Sequence, residues 1–202
     1  MVKSKLGLRL LALTGIFLLV SACNSGNTRN ETVDEHNIAN IANHDDASNK
    51  ISKAICVMTP TEGSNVSGLV TFTQTDEGIL IEADIEGLSE GKHGFHVHEW
   101  GDISKSDGTS TGGHFNPGGT DHAGPHDAVR HAGDFGNIVA DKNGKARYEE
   151  IDSLISFSGK NNIIGRAIII HADEDDLVSQ PTGDAGARVA HGVIGVAEIS
   201  EK

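Results

Sequence analysis

The chain has 202 residues, enough for one domain of ordinary size plus appendages. Its 16 basic and 29 acidic side chains leave a formal charge of −13, which argues against a nucleic-acid binder, since that needs a cationic face to displace counterions from phosphate. Gly is frequent at 25 residues and Pro scarce at 4, which favours strands and turns over a helical bundle, and 2 cysteines exclude a disulfide-rich scaffold.

Residues 1–22 read as an export signal. Lys3, Lys5 and Arg9 precede the apolar run Leu10–Val20, and the small residues Ser21 and Ala22 follow. The run is short beside the about 20 residues that a membrane span needs. Leu19-Val20-Ser21-Ala22-Cys23 is similar to a bacterial lipobox, in which the cysteine becomes the lipidated N-terminus after cleavage. The expectation is an exported lipoprotein held on a membrane through Cys23, facing the periplasm or the cell surface. Residues 23–50 are rich in Asn, Asp, Ser and Thr, with only isolated apolar residues. Such a segment cannot bury enough surface to offset its ordering entropy, and it reads as a flexible tether.

Residues 51–202 carry the folded domain. Strand signals recur at Lys53–Met58, Gly68–Thr75, Ile79–Glu86, Gly94–Trp100, Gly136–Asp141, Ala146–Ile151, Arg166–His171 and Gly192–Ile199. Ile79, Ile81, Ala83 and Ile85 alternate with partners that are mostly polar, the period of a half-buried strand. Asp141-Lys142-Asn143-Gly144 reads as a hairpin turn. The pattern predicts an all-β domain: an eight-stranded Greek-key flattened barrel, akin to an immunoglobulin-like sandwich, with two long functional loops. The loops run from Gly101 to about Phe135 and from Ala172 to about Ala190. Each follows a His-bearing strand end, and neither has the apolar residues to order itself by packing.

The chain holds 11 histidines, and their placement is not random. His96-Val97-His98 puts two imidazoles on one face of a strand, which suits copper or zinc. The first loop adds His114, His122, His131 and Asp134, with His126 as a further candidate. Three imidazoles and a carboxylate make a tetrahedral zinc site, and the metal would supply the ordering energy that the loop lacks. His171, ending the strand Ile168-Ile169-Ile170, can complete a second site with His96 and His98.

From Lys53 to Ile199 the chain resembles the copper/zinc superoxide dismutase family, in its bacterial exported lipoprotein type. The resemblance rests on Gly94-Phe95-His96-Val97-His98-Glu99-Trp100-Gly101-Asp102 and on His114-Phe115-Asn116-Pro117, His122 and Arg130-His131-Ala132-Gly133-Asp134. It rests also on Gly183-Asp184-Ala185-Gly186-Ala187-Arg188 with Gly192-Val193-Ile194-Gly195.

The resemblance implies dismutation of superoxide to oxygen and hydrogen peroxide by a redox-cycling copper, bridged through a histidine to a structural zinc. It implies His96, His98, His114 and His171 as copper ligands, and His114, His122, His131 and Asp134 as zinc ligands, with His114 the shared bridge and proton donor. Asp175 would hydrogen-bond His96 and His122 from behind, and Arg188 would position the anionic substrate. A homodimer is among the assemblies that family members form.

Two departures stand out. Where family members carry a disulfide, this chain has Gly108 and His191, so no intradomain bridge can form. The second loop is short and has no lysine, so substrate guidance falls to copper and Arg188. The competing reading is a non-enzymatic metal-buffering lipoprotein on the same fold, which a missing copper ligand would favour; all six histidines and Asp134 are present.

Overall fold

The computed structural model describes residues 50–197; the export signal, Cys23, the tether and the last residues of the expected eighth strand lie outside them. Eight strands close on themselves: β1 (Lys53–Pro60), β2 (Ser67–Gln74), β3 (Ile79–Glu86), β4 (Gly91–His98), β5 (Asp134–Ala140), β6 (Ala146–Asp152), β7 (Ala167–His171) and β8 (Arg188–Val193). A two-residue β9 (Gly195–Val196) adds to β1. Around the barrel the order is β1-β2-β3-β6-β5-β4-β7-β8, with β8 returning to β1, and every pairing is antiparallel. That order is a Greek key. Closure removes the unpaired edges that an open sheet would expose.

Two seams are thin. β5 meets β6 only at Val139↔Arg147 and Ala140↔Ala146, and β8 meets β1 only at Thr59↔His191 and Pro60↔Ala190. The barrel is therefore flattened, with Phe72, Ile81, Phe95, Ile138, Ile168 and Ile170 fully buried inside. Each such side chain contributes about 1.5–3 kcal/mol relative to leaving it exposed. The alternation read in β3 is realised, since Ile79, Ile81, Ala83 and Ile85 point inward. The Asp141 turn closes the β5–β6 hairpin, with the Asp141 carboxylate accepting the Asn143 N–H at 2.8 Å and the Lys145 N–H at 3.0 Å.

Only β3 keeps both expected bounds, and the strands that flank the long loops depart from theirs in ways that matter for the site. β4 starts at Gly91 and stops at His98, short of Trp100. β5 starts at Asp134, before Gly136. The last long strand starts at Arg188, not Gly192, and breaks at Ile194, which is buried while its N–H and carbonyl pair with Arg166 and Gly165 at 2.9 and 2.8 Å. His191 and Gly192 interrupt the apolar run there, so the pattern hides a strand that long-range pairing with β7 secures.

Candidate metal centre

On β4, Phe95 and Val97 enter the core while His96 and His98 face away from it. All four are buried, the two histidines because the two long loops cover the outer face. His171 follows from β7, the strand paired with β4, so three imidazoles come from the sheet itself. An isolated antiparallel bridge between His98 and His114 joins the first loop to the end of β4.

Two groups of ligand atoms result: His96, His98, His114 and His171, and His114, His122, His131 and Asp134. Within each, the atoms lie within 4.8 Å of one another, and His114 belongs to both. In the second group, Oδ1 of Asp134 lies 2.8 Å from His114 Nδ1, 3.0 Å from His122 Nδ1 and 3.2 Å from His131 Nδ1. The edge of a tetrahedron around zinc, with bonds of about 2.0–2.1 Å, is about 3.3 Å, so the spacing fits that ion. Asp134 Oδ2 is taken by the N–H groups of His131 and Ala123, which leaves Oδ1 for the centre.

Hydrogen bonding selects the tautomers. A carbonyl can only accept, so His98 Nδ1 donates to Gly112 at 2.9 Å, His171 Nδ1 to Gly186 at 3.2 Å, and His131 Nε2 to Thr120 at 3.1 Å. Asp175 takes His96 Nε2 at 2.8 Å and His122 Nε2 at 3.0 Å, one imidazole from each group. The opposite ring nitrogens are left to converge. Those of His96 (Nδ1), His114 (Nε2), His122 (Nδ1) and His131 (Nδ1) are buried without a hydrogen-bond partner. Nitrogens in that state are costly unless a cation takes their lone pairs. His98 Nε2 and His171 Nε2 approach to 3.4 Å, and the His96 and His114 rings stand 3.9 Å apart.

The two sides differ electrically. Burial and the neighbouring His114 push His96 down to about 3, and burial pulls His171 down to about 4, so both rings are neutral near pH 7 with a lone pair to give. His98 is pushed down likewise. On the other side burial opposes the Asp134 charge, but three imidazole contacts hold the carboxyl well below the usual carboxylate range. Burial also opposes charge on His122, yet Asp134 and Asp175 raise it to about 9. One side is a nest of neutral nitrogens and the other is built on a fixed negative charge.

A model of the copper/zinc superoxide dismutases matches residues 66–194. A Cu-Zn superoxide dismutase of Paramecium bursaria Chlorella virus 1 is 50% identical over 156 residues, 73% of this chain and 82% of the relative. The chain belongs to the copper/zinc superoxide dismutase family. The solved structure of the clock protein EA4 is 45% identical with a TM-score of 0.67, covering 73% of this chain and 96% of that one. Copper and zinc are the cofactors of this dismutase fold, and the two groups of side chains fit them: all-nitrogen donors for copper, nitrogen and carboxylate for zinc.

The structure brings together the seven ligands that the resemblance implies, His96, His98, His114, His122, His131, Asp134 and His171, with Asp175 behind them. Arg188 opens β8 rather than lying in a loop. Its guanidinium donates to the Gly108 carbonyl, to Thr111 Oγ1 at 2.9 Å and to the Gly112 carbonyl at 2.6 Å. The same Gly112 carbonyl takes the His98 proton, and the Arg188 charge opposes protonation of His98 and His171. His126 is exposed and joins neither group. His93 instead bonds the His171 carbonyl at 2.9 Å. Gly108 and His191 do face each other: a Cβ on Gly108, whose φ is +74°, would lie 3.5 Å from His191 Nδ1. His191 Nδ1 has no hydrogen-bond partner and belongs to neither group.

Sequence reasoning missed several supports. Arg130 donates to the His131 carbonyl at 2.9 Å and to Asp152 at 2.6 Å in a buried ion pair. Arg166 lies 3.5 Å over the Phe115 ring, beside His114, and donates to the Glu99 carbonyl at 2.7 Å. Asp152, Phe115 and Glu99 are distant in sequence from the arginines they meet, and no spacing rule announces them.

Proposed function

We propose that this chain dismutates superoxide to oxygen and hydrogen peroxide, with copper held by His96, His98, His114 and His171 and zinc by His114, His122, His131 and Asp134. The observation that carries the assignment is the sharing of His114 by both groups, with its two ring nitrogens facing opposite sides. The chemistry that copper supplies is one-electron exchange with superoxide in both directions, while zinc supplies fixed positive charge.

The chain's own groups do the rest. Arg188 holds a permanent cation beside the His98–His171 pair and attracts the anion over the last ångströms. Long-range attraction is absent, because the acidic domain repels anions, and screening confines that repulsion to about 8–10 Å at physiological salt. His114 Nε2, unpartnered and facing the copper group, can hold a proton and deliver it to the reduced substrate, which is general acid catalysis by a pre-positioned acid. Asp175 fixes the ring orientation of one imidazole on each side, as carboxylates behind metal-bound histidines do.

Metal content and a superoxide-scavenging assay test this together. One copper and one zinc per chain with activity is the expected result, and His114→Ala should abolish activity. Zinc alone, with no activity after copper loading, would refute the dismutase reading in favour of metal buffering.

We also place the domain outside the cytoplasm, with 1–22 a cleaved signal, 23–50 a lipidated tether and 51–202 the enzyme. The support is the lipobox-like Leu19–Cys23. Fatty-acid labelling that survives Cys23→Ser would overturn it. A homodimer is supported by Val57 and Leu69, opposite each other on β1 and β2 and 60% and 44% exposed; sedimentation of the soluble domain as a monomer would refute it.

A further inference from the structure

The stretch between Asp175 and Gly183 carries none of the family motifs, yet it holds a two-point contact between the two long loops. Gln180 lies in it. Its side-chain amide spans the backbone of His122: Oε1 accepts the His122 N–H at 2.8 Å, and Nε2 donates to the His122 carbonyl at 2.8 Å. A peptide N–H only donates and a carbonyl only accepts, so the orientation of the amide is fixed. Nε2 also reaches the Val178 carbonyl at 3.2 Å, which ties the amide to its own loop. Neither backbone group of His122 has another hydrogen-bond partner among the described residues. The amide does for this loop residue what a neighbouring strand does for a residue in a sheet.

His122 needs such support. It sits in the middle of the first loop, away from any strand, whereas His96, His98 and His171 are fixed by the barrel. Its Nε2 is held by Asp175, and its Nδ1 points at Asp134 at 3.0 Å. Gly183, with φ +68°, lets the second loop close on the ring, because a Cβ there would collide with the Asp175 carboxylate and come within 2.8 Å of His122 Nε2. The second loop thus grips His122 by side chain and backbone. No disulfide fastens the loops: Cys56, buried in β1, is the only cysteine among the described residues.

We propose that Gln180 is a positioning residue for the zinc centre, locking the His122 backbone so that Nδ1 stays aimed at the ion. The inference rests on the reading that His114, His122, His131 and Asp134 hold zinc.

The test uses the copper- and zinc-loaded protein and reads zinc release to a chromophoric chelator, with cobalt(II) at the zinc position as a spectroscopic reporter. Gln180→Met keeps the length and removes both hydrogen bonds. It should release zinc about 10-fold faster or more and shift the cobalt d–d bands. Copper content and the melting temperature of the metal-free form should match the parent. Gln180→Glu keeps the acceptor and loses the donor, so its release rate should fall between the two. Val178→Ala, at a side chain 71% exposed, should release zinc as the parent does. A parent that binds zinc, with Gln180→Met and Gln180→Glu releasing it at the parent's rate and an unchanged cobalt spectrum, overturns the inference alone. A parent that takes up no zinc overturns the ligand assignment itself, and the inference with it.

Discussion

The two sides of His114 are built differently. Three of the four imidazoles on the copper side come from adjacent strands, β4 and β7, whose inward residues are the barrel's own core. On the zinc side, His114, His122 and His131 all come from the first loop, and only Asp134 stands on a strand. The sheet prepares one pocket before any metal arrives. The other pocket is a folded loop whose order depends on polar contacts and on the ion. Rigidity and metal dependence are thus divided across a single shared ring.

Metal removal gives the largest break in that comparison. Structural zinc contributes several kcal/mol to folding, and a domain of this size shifts by roughly 2–4 °C per kcal/mol, so zinc-free protein should melt roughly 10 °C or more below the loaded form. Hydrogen exchange should show amides of 101–133 losing protection while β4 and β7 keep theirs. A small shift, or equal loss in both regions, would erase the distinction.

Next comes Arg130→Met, which strands Asp152 as a buried charge. Such losses cost about 3–5 kcal/mol, here at the low end because Asp152 Oδ1 still accepts the Leu154 and Ile155 N–H groups. Denaturant melts of loaded protein measure it, and zinc retention should fall before copper retention.

Arg188→Glu acts on the copper side alone. Activity should drop by about 10–100-fold with both metals bound, since the change reverses the side-chain charge that stands beside the His98–His171 pair. Arg188→Lys should recover part of it, because lysine keeps the charge but cannot span Gly108, Thr111 and Gly112 together. An unchanged rate constant for Arg188→Glu would remove its steering role.

The smallest effect is the pH profile of the metal-free domain. Burial depresses His96 and His171 to about 3 and about 4, below the about 6.5 of an unfolded histidine, so that part of the stability is lost as pH falls under about 6.5. Burial opposes charge on His122 too, but Asp134 and Asp175 raise it to about 9. Its contribution is complete below about 6.5 and disappears as pH climbs through 9. The melting temperature should therefore peak near pH 6.5, the acid limb belonging to the copper side and the alkaline limb to the zinc side.

What the sequence shows and what it hides follow the same division. The β3 alternation and the His96-x-His98 pair are local patterns with a fixed period, and they fold as written. The two convergent groups are legible because their histidines fall in motifs whose order is specific. The start of β8 at Arg188 is not legible, because the Ile170/His171 bulge shifts the register with β7. Nor are the supports of the loops: the Arg130–Asp152 pair, Arg166 over Phe115, and Gln180 on His122 each join segments far apart in sequence. A side chain that bonds a distant backbone leaves no periodic trace.

The facing of Gly108 and His191 has a further consequence. Cys56 is the single cysteine among the described residues, so no sulfur–sulfur bond holds the barrel together. Oxidative cross-linking is no step in building it, and dithiothreitol has no covalent link in it to cut.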